Sequence, residues 1–158
     1  MSARNSLDGD KTGSAGVLEI TRVFEAPRAL VFKAWTDVAH LARWWGPKGF
    51  TVMSYKADAR VGGKFRFGIR SPEGTEHWAN GVYKDVTPHE RLVFTTAWEG
   101  ETGASKRETL VTITFTARGN KTEMHFHQAE FESATARDLH NEGWSETFDL
   151  LADYLKTM

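Results

Sequence analysis

The chain has 158 residues, 40% hydrophobic and 26% charged, with 20 basic against 21 acidic side chains for a formal net charge of −1. That is the length of one domain, which buries roughly 70% of its unfolded surface, and the balanced charge, with no dense Lys/Arg stripe, argues against nucleic acid as a partner. The absence of cysteine excludes disulfide scaffolds, thiolate nucleophiles and Cys-based metal sites.

Met1 to Gly16 is rich in Ser, Gly, Asp and Lys with almost nothing apolar, so it is expected to be a disordered tail ahead of a domain spanning 17–158. The stretch MSARNSLDGDKTG lacks the apolar core of a signal peptide. No window approaches the roughly 18 apolar residues of a membrane span. A cytoplasmic protein without membrane contact is expected.

From Val17, VLEITRVF alternates as a strand with Leu18, Ile20 and Phe24 on one face, and Pro27 then fits the first turn of a helix. That helix, PRALVFKAW, gives way at Thr36-Asp37, where a side-chain oxygen caps a second short helix, VAHLARWW, ended by Gly46 and Pro47. Helical extrapolation from Val38 and Leu41 turns Trp45 inward and rotates Trp44 off that face, to cover the mouth of a pocket. Six strands follow with period two, near 51–58, 64–70, 77–86, 92–98, 108–116 and 122–131, punctuated by turns at Gly62-Gly63, Pro72 to Gly74, Pro88, Gly100 to Gly103 and Gly119-Asn120. In the last segment His140, Trp144, Phe148, Leu151 and Leu155 form one helical face, from a start near Ser133 or Thr135 with Thr135 and Asp138 resembling a capping box. Gly143 lies inside that helix at a cost of roughly 1 kcal/mol, which suggests close approach of the helix to the sheet. The order is that of an α+β fold: a curved antiparallel sheet of about seven strands around a long C-terminal helix, with two short helices after strand one.

Several segments carry a family resemblance: RVFEAPRALVFKAWTD at 22–37, WWGP at 44–47, DARVGGKF at 58–65, GVYKDVTPHERLVFT at 81–95 and EGW at 142–144. With these the chain resembles the START-like superfamily, also called SRPBCC, and within it the family named for the activator of heat-shock-protein-ninety ATPase. The resemblance implies a helix-grip fold with a deep, mostly apolar pocket between sheet and C-terminal helix. It leaves function open, because such families include ligand binders, aromatase/cyclase-like enzymes and a co-chaperone domain. The eukaryotic activators carry an additional chaperone-binding domain absent from these residues, so chaperone contact has no support in the sequence.

The inward rows of the strands and the helix face nominate ligand-contacting residues: Trp44, Phe65, Phe67, Phe94, Trp98, Phe126, Gln128, His140, Trp144 and Phe148. Gln128 on an apolar row needs a partner or a ligand. His125 and His127 share the outer face, where two ligands without a third make no metal site, and Asp58 with Arg60 reads as a local salt bridge at a hairpin. His140 is the one candidate general base, but no serine, cysteine or paired carboxylate completes a catalytic set. The reading is binding of a small hydrophobic or aromatic molecule without conversion, with no cofactor and no metal. A cyclase- or hydrolase-like enzyme using His140, and a chaperone-interaction module, are the alternatives; a homodimer is left open.

Overall fold

A computed structural model describes residues 16–100 and 107–158. The expected tail therefore lies outside the described residues except for Gly16, as does most of the turn expected at 100–103. The elements in chain order are β1 (Val17–Phe24), α1 (Arg28–Thr36), α2 (Val38–Trp44), β2 (Thr51–Ala57), β3 (Lys64–Arg70), β4 (Glu76–Thr87), β5 (Arg91–Trp98), β6 (Thr109–Arg118), β7 (Lys121–Ala129) and α3 (Ala134–Leu155). All seven strands form one curved antiparallel sheet in the order β1-β7-β6-β5-β4-β3-β2. The run from β2 to β7 is the expected meander. β1 closes it from the far side, pairing with β7 from Val17↔Ala129 to Phe24↔Thr122.

Local chemistry sets the boundaries. Asp37, with φ −94° and ψ 120°, breaks the helical path after α1, and its Oδ1 accepts the Ala39 amide at 3.0 Å to start α2. Ser133 caps α3 by accepting the Ala136 amide at 3.0 Å, whereas Asp138 of the expected Thr135 capping box pairs with its neighbour Arg137 instead. At the hairpin before β3, Arg60 pairs with Asp58 at 2.7 Å as expected. Gly63 is required there because a Cβ would stand 1.9 Å from the Asp58 carbonyl oxygen.

The core lies between the sheet and the helices, around Trp35, Trp44, Leu92, Ile113, Met124, Phe126, Phe148 and Leu151, each 2% exposed or less. Trp35 is its centre: its ring meets Trp44 at 4.9 Å and Trp45 at 5.7 Å, with Phe148 at 6.0 Å. Among the described residues its Nε1 is the one buried side-chain nitrogen or oxygen without a hydrogen-bond partner.

On the outer face, Arg66 of β3 grips Glu99 through two hydrogen bonds of 2.8 and 2.9 Å, and Asn80 of β4 adds a third at 3.0 Å. These bonds to the charged form hold the Glu99 carboxyl down at about 2, against an ordinary 4.5. The clamp matters for the interior because its members adjoin Phe67 and Trp98, which point the other way. A folded-state pKa lowered in this way adds stability that is complete above pH about 4.5 and fades as pH falls towards about 2. Glu99→Gln is therefore expected to melt below wild type at neutral pH, with the gap closing over that interval. A gap that persists at pH 2 would show that the loss is not electrostatic.

Candidate functional site

The N-terminal half of α3 meets the sheet through the side chains of His140 and Trp144, which reach Trp98 of β5 and Gln128 of β7. Between helix and sheet lies a cavity of about 440 Å³ lined by Trp45, Gly46, Pro47, Phe50, Phe67, Ile69, His77, Trp98, Leu139, His140, Gly143, Trp144 and Thr147. Its volume is in the range of roughly 300–1,000 Å³ typical of small-molecule sites. A smaller chamber of about 90 Å³ adjoins it, sharing Trp45, Phe67, Trp98, His140 and Trp144 and adding Phe94, Thr109 and Gln128 among others.

Three parts of the chain build these walls. Alternation along β3 sends Phe67 and Ile69 inward together, and the end of β5 contributes Trp98 beside them at 5.8 Å from Phe67. Helical periodicity puts His140, Gly143, Trp144 and Thr147 on one face of α3. The loop after α2 supplies Trp45 to Pro47 and Phe50, shaped by Gly46 and Gly49 at φ +96° and +87°.

The polar atoms of the walls are bonded mainly to one another. Trp98 donates its indole N–H to His140 Nε2 at 3.1 Å, and His140 Nδ1 donates to the Ala136 carbonyl at 2.7 Å. An indole only donates and a carbonyl only accepts, so this pairing assigns His140 the neutral tautomer with its proton on Nδ1. Trp144 donates to Gln128 Oε1 at 2.8 Å, Gln128 to Thr109 Oγ1 at 2.8 Å, and Thr109 to the Thr96 carbonyl at 3.2 Å. The partner that Gln128 needed is thus a pair of wall residues. Thr147 donates to the Gly143 carbonyl at 2.8 Å. What remains towards the cavity is ring surface, with His77 exposed at its edge, 6.1 Å from both Phe50 and Trp98.

The structure divides the ten nominated residues. Phe67, Trp98, His140 and Trp144 line both chambers, and Phe94 and Gln128 line the smaller one. Phe65, Phe126 and Phe148 are packed into the core at 5% exposure or less and border neither chamber. The expectation for Trp44 is corrected. It is 2% exposed, with its Nε1 donating to the Ala34 carbonyl at 3.0 Å, and it covers no mouth. Trp45 lines the cavity instead. Around the larger chamber the residues that sequence reasoning missed are Trp45, Gly46, Pro47 and Phe50 of the loop after α2, together with Ile69, His77, Leu139, Gly143 and Thr147. A legible signal existed for two of them: Gly143 and Thr147 lie three and seven positions after His140, on its face.

Gly143 also takes a different role from the one expected. An added Cβ would meet Pro47 Cγ at 3.7 Å, an ordinary contact with the loop, and no sheet atom within 4 Å. The helix does not approach the sheet there; glycine leaves cavity volume open. Gly143→Ala is therefore expected to stabilise the protein by roughly 0.5–1 kcal/mol through helix propensity, as read by the midpoint of urea unfolding. Destabilisation would show that the site cannot take even one methyl group. Gly143→Leu should occupy cavity space rather than overpack the sheet.

Outside the cavity, His125 accepts or donates with Thr21 at 3.1 Å and meets Glu19 at 3.1 Å. Among the described residues no group of three or more His, Cys, Asp or Glu is placed to hold a metal ion.

A curved antiparallel sheet with a long C-terminal helix over an aromatic cavity defines a START-like helix-grip protein. The chain belongs to the family of Activator of Hsp90 ATPase homolog 1-like proteins, whose profile matches residues 25–156. A Chromobacterium violaceum protein of known crystal structure is 26% identical, with 89% of this chain and 96% of that chain covered and a TM-score of 0.81. An Arthrobacter aurescens protein solved by NMR is also 26% identical, covering 94% and 91% of the two chains with a TM-score of 0.80. The AHSA1 protein of Silicibacter pomeroyi, at 24% identity with 89% and 98% covered and a TM-score of 0.82, shares the fold. No curated protein matches the chain. No described helix is long and apolar enough to cross a membrane.

Proposed function

We propose that the protein binds a small, neutral, largely aromatic molecule in the cavity between sheet and α3 and does not convert it. The observation that carries this reading is a cavity of about 440 Å³ walled by Trp45, Phe50, Phe67, Trp98 and Trp144 whose polar atoms are largely paired with each other. Such a wall rewards apolar ring surface and offers little to a strongly polar guest. The setting we propose is the cytoplasm, with no membrane or nucleic-acid contact.

The pairing of His140 also bears on the catalytic alternative. Its Nε2 lone pair, the only one a general base could use in this tautomer, is held by Trp98. The expected result is one molecule of a neutral environment-sensitive dye bound per chain, with tryptophan fluorescence perturbed. Trp98→Ala should weaken binding by roughly 1–3 kcal/mol through lost apolar contact. Native mass spectrometry of protein from its own source tests the same reading through any retained small molecule, and reads the oligomeric state. A retained molecule that wild type consumes and His140→Ala leaves intact would replace binding with catalysis.

A further inference from the structure

The two chambers are separated by residues that differ in how firmly they are held. Trp45 and Phe67 are 7% and 4% exposed and packed against each other at 5.3 Å. Trp144 is tied into the relay through Gln128 and Thr109 and lies 4.7 Å from the Phe126 ring. Trp98 is different: it is the last residue of β5, only partly buried, and its indole N–H has one partner, His140. The backbone beside it is pinned on the outer face by the Arg66–Glu99 pair. What is left to move is the Trp98 side chain, by rotation about its own bonds.

We propose that the Trp98–His140 hydrogen bond is a latch between two chambers of one ligand site and sets the length of ligand that the site accepts. The proposal rests on the ligand-binding reading above. A compact ring system occupies the larger chamber with the latch closed. A ring system carrying a short flexible chain must break the bond to place that chain in the smaller chamber, whose volume of about 90 Å³ suits a chain and not a second ring system. His140 is the fixed half, held on α3 by its Nδ1 bond to the Ala136 carbonyl and by Phe131 at 4.8 Å, and is a positioning residue rather than a catalytic one.

The test compares two neutral dyes with one fluorophore, the acetyl and hexanoyl members of the dimethylaminonaphthalene ketone series, on wild type, Trp98→Phe and His140→Leu. Both variants keep an apolar side chain of substantial size and remove the latch, one from each side. The hexanoyl dye should bind each variant about fivefold more tightly relative to the acetyl dye than it binds wild type, the size of one neutral hydrogen bond no longer broken. A simple loss of packing would weaken both dyes and leave their ratio unchanged. An unchanged ratio in both variants, with both dyes bound by wild type, overturns the latch and leaves the ligand site standing. Failure of both dyes to bind wild type overturns the ligand reading, and the latch with it; binding of the acetyl dye alone leaves the ligand reading standing, and overturns the latch if neither variant gains the hexanoyl dye. If one variant does not fold, the other decides. Nitrogen NMR of wild-type His140 gives an independent readout: the latch requires the Nδ1-protonated neutral tautomer, and the Nε2-protonated form overturns it.

Discussion

Trp44→Ala is expected to destabilise the protein by about 3–5 kcal/mol, the range for truncating a buried tryptophan, and to do so without specifically speeding the release of a ligand. The indole is 2% exposed, meets the rings of Trp35 and Trp45 at 4.9 and 5.1 Å, and donates to the Ala34 carbonyl at 3.0 Å. Truncation leaves a void at the junction of α1 and α2 and removes that hydrogen bond. Urea unfolding measures the first effect and dye dissociation kinetics the second. A variant of nearly wild-type stability that releases dye faster would restore Trp44 to the mouth of the cavity and contradict the packing described here.

Gly81→Ala is expected to cost about 3 kcal/mol or more, at the upper end of overpacking. A Cβ on Gly81 would lie 1.8 Å from the Thr95 carbonyl oxygen and 2.6 Å from two atoms of the Phe65 ring. The Phe65 ring could shift, but the backbone oxygen belongs to β5 and cannot move without parting the strands. Nearby the Val82 amide turns to the Thr95 hydroxyl at 3.0 Å, and the β4–β5 register shifts between Tyr83 and Asp85. These are the irregularities that accompany bending of a sheet, and β5 carries Trp98 beyond them. The loss should therefore appear in the unfolding midpoint and, in whatever folded fraction remains, in weaker dye binding. Tolerance of the methyl group would mean that the two strands are less closely apposed.

Most of the fold was legible because it is written in short-range periodicity. Alternation in KFRFGIR placed Phe67 and Ile69 on one face, and the repeat from His140 to Leu155 defined the helical stripe whose Phe148, Leu151 and Leu155 are buried. Capping at Asp37 and Ser133 was likewise local, since both side chains reach amides within three residues. The edge partner of β1 was not legible in this way, because β7 begins nearly a hundred residues later and no turn links them.

The tryptophan pair shows where local reading fails. Treating Trp45 as helical set it on the Val38–Leu41 face and Trp44 off it. The chain leaves the helix one residue earlier, with Trp45 at φ −72° and ψ 142°, so the spacing of about 100° per helical residue no longer relates the two rings. Both then point inward: Trp44 joins the Leu41 side in the core, and Trp45 reaches the cavity wall. The sequence by itself determined the α+β class, the long helix and the inward aromatic rows, because each follows from contacts within a turn or along a strand. Only the tertiary structure decided which inward residues face a void and which face each other. Phe67 and Phe65 are indistinguishable by alternation on β3, yet one borders the cavity and the other packs against Tyr83 and Phe94. That difference depends on how far α3 stands from the sheet at each point along its length, a distance set by the whole packed assembly and by no single segment.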